Sequence, residues 1–163
     1  MAHIPRRLAL ATLATIVCCS GALAQTSAKL PDISGPWQFK TDVLPNKGCI
    51  ISGEIEFRKG VKPFDYACTF VSREDCDREP EKTFTEVKQS CFVREINGEF
   101  DITSKVEAIT DAGPDWFKRD MLATMAYQPD NFRVHPKAGE LTGTFKSIRQ
   151  APVKFWRGND LVS

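Results

Sequence analysis

Apolar side chains recur at every second residue through most of this chain. That period constrains the fold most, because a strand turns successive side chains to opposite faces and a helix does not. From Gly35, the side chains of Trp37, Phe39 and Thr41 share a face opposite Gln38 and Lys40. Residues 49–58 set Ile51, Gly53, Ile55 and Phe57 against Ser52, Glu54, Glu56 and Arg58. Residues 64–73 repeat the pattern with Phe64, Tyr66, Cys68 and Phe70, and residues 85–93 with Val87, Cys91 and Val93. Phe100, Ile102, Ser104 and Val106 then alternate with Glu99, Asp101, Thr103, Lys105 and Glu107, directly after Asn97-Gly98, a tight-hairpin turn. Three shorter runs follow: Phe132 and Val134; Leu141, Gly143 and Phe145; Val153 and Phe155. Many short strands without intervening helices predict an all-β fold, an antiparallel up-and-down barrel of about eight strands. Closure removes exposed edges, which suits a monomer.

The first residues are of a different kind. Arg6 and Arg7 precede an apolar run over residues 8–19, too short to span a bilayer, and Ala22-Leu23-Ala24 supplies the small-residue pattern of a cleavage site. Residues 1–24 are therefore expected to be a cleaved signal peptide, residues 25–32 a leader, and residues 33–158 the barrel domain, in the periplasm or secreted. The rival readings are a lipid anchor on Cys18 or Cys19, preceded by Val17 rather than a small residue, and twin-arginine export through Arg6-Arg7. Loss of residues 1–24 removes two arginines and no acid, so the formal net charge of +1 becomes −1. A chain so close to neutral has no electrostatic pull toward nucleic acid or anionic lipid. No later apolar stretch reaches membrane-spanning length, so no membrane insertion is expected.

Cleavage leaves four of the six cysteines: Cys49, Cys68, Cys76 and Cys91. An even number in an exported chain reads as two disulfides, and no pair has the close spacing of a zinc site or a redox Cys-x-x-Cys motif. A hairpin turning at residues 59–63 brings Phe57 near Phe64 and Cys49 near Ser72, with Cys76 the nearest cysteine, while a connection over residues 74–82 sets Cys68 opposite Cys91. The pairing Cys49–Cys76 with Cys68–Cys91 thus needs the least slippage of the three possible, given bridged Cα atoms within about 7 Å.

The alternation lapses between residues 111 and 131. Pro114 and Asp115 can start a short helix whose Phe117, Met121 and Met125 recur along one face, either as a connection packed on one barrel end or as a mobile lid or partner-binding segment with Trp116 exposed. Glu74, Asp75, Asp77, Glu79 and Glu81 cluster among basic residues and read as a solvated loop, without the ordered spacing of a calcium site. Nucleophile-elbow, zinc-protease and phosphate-loop motifs are missing, and His135 stands alone after cleavage. The chain is expected to be no enzyme and to need no cofactor or metal.

The domain opens with Ile33-Ser34-Gly35-Pro36-Trp37 and closes with Phe155-Trp156-Arg157. This pair of ends resembles the calycin superfamily, the lipocalins and their relatives. The resemblance implies an eight-stranded barrel whose end is closed by Gly35, Trp37 and Arg157, the guanidinium stacked across the indole. No threonine-aspartate-tyrosine element stands on a middle turn, and no helix follows the final strand. The leader before a Gly-x-Trp strand is also similar to small bacterial barrel inhibitors of secreted metalloproteases, which usually carry one disulfide.

A barrel of this size is filled by its own side chains or holds one small ligand. The inward set comprises Trp37, Phe39, Phe57, Phe64, Tyr66, Phe70, Phe100 and Phe145. The leading expectation is an exported, lipocalin-like, non-catalytic protein that binds a small apolar ligand in or at the mouth of the barrel, through Phe39, Phe57, Tyr66 and Phe70 with Ser104 as a polar handle. The alternative is a protein-binding barrel, such as a periplasmic protease inhibitor, acting through the leader or residues 111–131.

Overall fold

In a computed structural model of the protein, the described residues are 30–45, 48–60, 62–77, 81–124 and 126–158. The expected signal peptide, residues 25–29 of the leader, Glu79 and Met125 lie outside them. Eight strands follow in order: β1 (Gly35–Thr41), β2 (Cys49–Lys59), β3 (Tyr66–Cys76), β4 (Thr83–Ile96), β5 (Glu99–Gly113), then helix α1 (Asp115–Thr124), then β6 (Asn131–Lys137), β7 (Glu140–Lys146) and β8 (Gln150–Trp156). Each strand pairs antiparallel with its sequence neighbour, and β1 pairs β8, so the sheet closes into an up-and-down barrel.

Alternation becomes burial as expected. Trp37, Phe39 and Thr41 of β1, and Ile51, Ile55 and Phe57 of β2, are buried, and the core continues through Phe100, Ile102, Phe132, Val134, Leu141, Phe145 and Phe155. The β4–β5 turn has Asn97 at φ 52° and Gly98 at φ 82°, the left-handed pair that a two-residue hairpin demands. At Gly143 the reason for glycine is close approach: a Cβ there would run into the Arg133 carbonyl of neighbouring β6.

Both disulfides form, Cys49–Cys76 and Cys68–Cys91, with Cα atoms 3.9 and 4.8 Å apart. The β2–β3 register differs from the expected one by four residues: Phe57 faces Cys68, Gly53 faces Ser72, and Cys49 faces Cys76 directly. The cause is the turn, since β3 starts at Tyr66 opposite Lys59, leaving Phe64 outside the strand. An even slip leaves every side chain on its expected face, and this one moves Cys49 from Ser72 to lie directly opposite Cys76, its expected partner. Phe64, expected inside, stacks instead on the exposed Phe92 at 4.4 Å between centroids, with Arg94 over its ring.

The barrel is not equally tight along its length. β5 and β6 share only three ladder positions, Phe100–Ile102 against Phe132–Val134. Beyond them β5 continues along β4, with two register shifts, and its alternation breaks: Val106 is only half-buried, while Ile109 and Ala112 are buried. Where the two strands part, Ser104 bridges with its side chain and backbone, its N–H donating to Asn131 Oδ1 at 2.7 Å and its Oγ to the Asp130 carbonyl at 2.6 Å. Helix α1 packs against β5 beside this opening. Asp115 in its first turn complements the helix dipole, and the Lys118 N–H donates to the Pro114 carbonyl at 2.9 Å.

Candidate functional site

The two barrel ends differ in chemistry. At the end where β1 begins and β8 finishes, the Trp37 Nε1–H donates to the Ile33 carbonyl at 2.8 Å, and the Arg157 guanidinium lies 4.6 Å from the indole while donating to the Ser34 carbonyl at 3.1 Å. Gly35 has φ 102°, a conformation that glycine adopts without strain. Tyr66 belongs here too: its hydroxyl accepts from the Ile33 N–H and donates to Asp32. Asp32 also pairs with Lys59 at 3.0 Å and accepts from both the N–H and Oγ of Ser34, which together hold its carboxyl well below the usual range. The near end of the leader is thereby tied across the barrel base.

The middle of the barrel is filled. Phe39 touches the rings of Phe70, Phe132 and Phe155 at centroid distances of 5.9, 5.2 and 5.3 Å, and Phe132 meets Phe145 at 5.7 Å. Of the residues proposed from sequence to face a ligand, Phe39, Phe57 and Phe70 pack in this core, Tyr66 seals the base, and Ser104 is spent on the β5–β6 junction. Each is accounted for by packing or by a hydrogen bond within the barrel itself.

Space remains at the opposite end. A cavity of about 200 Å³ lies above the Phe145 ring, under α1 and the β7–β8 turn. Its apolar lining includes Leu44, Ile51, Phe117, Met121 and Ile148. Phe117 and Met121 stand one helical turn apart, which is why both reach it, and α1 has no buried residue of its own. Ile148, at the β7–β8 turn, is 77% exposed.

The cavity's polar lining includes Asp130, which is 1% exposed. Its Oδ2 accepts from Ser72 Oγ at 2.7 Å and Gln89 Nε2 at 2.6 Å, and the Tyr127 hydroxyl reaches both carboxylate oxygens at 3.2 Å. The Asp130 N–H donates to Gln89 Oε1 at 3.0 Å, so the amide clasps backbone and side chain together. Desolvation outweighs these hydrogen bonds and, with the nearby Glu74 charge, pushes the Asp130 carboxyl up to about 7. Burial likewise drives the Tyr127 phenol well above its ordinary range. The polar lining also includes Glu74, Thr85, Gln128, Ser147 and Arg149.

None of the members of this wall was singled out from sequence as a site residue. Ser72, Thr85 and Gln89 did carry a signal, as polar residues at inward-phase positions nearest the mouth on β3 and β4. Asp130 carried none, because it stands in an aperiodic connection.

Among the described residues, the one group of metal-ligating side chains that converges is Cys49, Glu74 and Cys76. Both sulfurs are consumed by the disulfide, leaving a single carboxylate. No helix among the described residues is long and apolar enough to cross a membrane. Comparison of the chain with protein-family models, curated proteins and solved structures gives no match.

Proposed function

We propose that this protein is exported and acts as a non-catalytic binding barrel, lipocalin-like in design, that takes a small molecule at its mouth rather than in its depth. The observation that carries this reading is the half-apolar, half-polar cavity of about 200 Å³ between α1 and the Asp130 wall, above a core packed solid with phenylalanine. Ligand sites are concave and mostly apolar, with a few convergent polar groups that set orientation, and this mouth has both parts. Two buried disulfides suit an oxidising compartment outside the cytoplasm.

The volume suits an elongated apolar chain or one ring system with a single polar head. Titration of the oxidised protein, residues 25–163, with the neutral dye N-phenyl-1-naphthylamine checks this. Saturable one-site binding is expected, and Phe117→Ala with Met121→Ala should weaken it by about tenfold, the effect of losing roughly 1.4 kcal/mol of contact. Dye binding that ignores these substitutions, or no binding in a folded sample, would remove the mouth site.

A further inference from the structure

Buried polar side chains in a folded protein find hydrogen-bond partners, and each exception calls for a reason. Among the described residues the buried polar side chains are Thr41, Ser72, Thr83, Thr85, Gln89 and Asp130. Thr41 Oγ1 accepts from the Ile51 N–H at 3.0 Å, and Ser72, Gln89 and Asp130 bond to one another. Thr83 and Thr85, successive inward residues at the mouth end of β4, have no side-chain hydrogen bond among the described residues. Thr83 Oγ1 is enclosed by packed atoms, whereas Thr85, 2% exposed, lines the cavity. The Thr85 hydroxyl is thus left for a molecule in the cavity to meet.

The surroundings of Thr85 define what that molecule presents. In the β3–β4 ladder Thr85 stands opposite Glu74, one inward step toward the mouth from the Val87–Ser72 pair that adjoins Asp130. Asp130 already accepts from Ser72, Gln89 and Tyr127, and Glu74 has an interaction of its own. The remaining polar lining is nearer solvent: Gln128, before β6, is exposed, and Ser147 and Arg149, at the β7–β8 turn, are half-buried. An anion set on Thr85 would stand beside Glu74 with no cation among the buried lining. An ammonium would give up its hydration to carboxyl groups that already have partners. A hydroxyl or carbonyl costs far less to dehydrate, and a threonine hydroxyl can donate to it or accept from it.

We infer that Thr85 is the hydrogen-bonding anchor of the mouth site, and that its ligand is an uncharged amphiphile such as a long-chain alcohol or ketone. The oxygen of the head group bonds the Thr85 hydroxyl, and the hydrocarbon body lies against Phe117 and Met121. This rests on the binding reading above and adds the chemical class of the ligand and the residue that selects it.

The test is displacement of N-phenyl-1-naphthylamine by decan-1-ol, decylamine and decanoate, which share one tail and differ in head. Decan-1-ol is expected to displace the dye at a concentration at least about tenfold below either charged ligand. Greater apolarity alone would favour the alcohol in any apolar site, so the deciding readout is Thr85→Val, checked for folding by circular dichroism. That variant should need about fivefold more decan-1-ol while its affinity for the dye stays within about twofold. Thr85→Ser, which keeps the hydroxyl, should retain the alcohol's advantage, and so should Thr83→Val, whose lost hydroxyl does not line the cavity. Should Thr85→Val fail to fold, Thr85→Ala gives the same readout as the ratio of alcohol affinity to dye affinity. A folded Thr85→Val that binds the alcohol undiminished assigns the hydroxyl to solvent and overturns the anchor. Decylamine or decanoate matching the alcohol, or a bound dye that yields to none of the three, overturns the uncharged class. Each of these outcomes leaves the binding site standing, whereas a dye that never binds the folded protein defeats both readings.

Discussion

Asp130 is one residue on which three parts of the chain converge: β3 through Ser72, β4 through Gln89, and the post-helical segment through Tyr127. Its backbone carbonyl also receives the Ser104 hydroxyl where β5 and β6 separate. The pH dependence that follows has a definite sign. The folded carboxyl titrates at about 7, above its unfolded value of 3.8, so its contribution to stability is whole below the unfolded value and is lost as pH rises through the folded one. Asp130→Asn, with no charge to desolvate, lacks that slope. Between about pH 4 and pH 8, the stability of the natural protein relative to this variant should fall by on the order of 2–4 kcal/mol, read by urea denaturation with the disulfides intact. A difference that is flat with pH would mean that Asp130 ionises freely in the folded protein. Asp32 and Asp111, whose carboxyls are held low by their partners, titrate below this window.

Hairpins are the elements of this fold, and their strength is uneven. The β3–β4 pair runs through eleven aligned positions and is bridged at the third of them, counted from Tyr66–Val93, by Cys68–Cys91, whereas β5 and β6 meet at three. The Cys49–Cys76 bridge stands at the mouth, joining the start of β2 to the end of β3 beside the cavity. Replacing Cys68 and Cys91 together by alanine should cost about 2–4 kcal/mol by denaturation, chiefly through a freer unfolded chain. Loss below about 0.5 kcal/mol would show that the β3–β4 ladder alone holds that register. Helix α1 is held otherwise: Lys118 pairs with Asp111 at 2.8 Å, Trp116 Nε1–H donates to Glu81 at 3.0 Å, and no residue of the helix is buried. Helix and β7–β8 turn are therefore the parts of the cavity wall that can adjust to an occupant at least cost.

At the scale of the molecule, one continuous core runs from Trp37 at the base to Leu44 and Ile51 at the mouth, with no second apolar cluster among the described residues to unfold separately. Heat should therefore give one transition, with far-ultraviolet and aromatic near-ultraviolet circular dichroism changing together; an earlier near-ultraviolet transition would mean that the barrel ends melt apart. The amino-acid order was enough to determine the strands, the barrel and the inward set apart from Phe64, because each follows from a two-residue period that survives any even slip of register, whereas the cysteine partners followed from which pairing needed the least slippage. The stacking of Arg157 on Trp37 is what the resemblance of the two domain ends to calycins implied, and pairing of β8 with β1 brings the two side chains together. The position of the open space was not. Whether eight strands enclose a void depends on how far phenylalanines from five strands interdigitate, and whether a buried aspartate exists depends on where β5 leaves β6. Both are decided by distances between residues far apart in the chain, which no local pattern encodes.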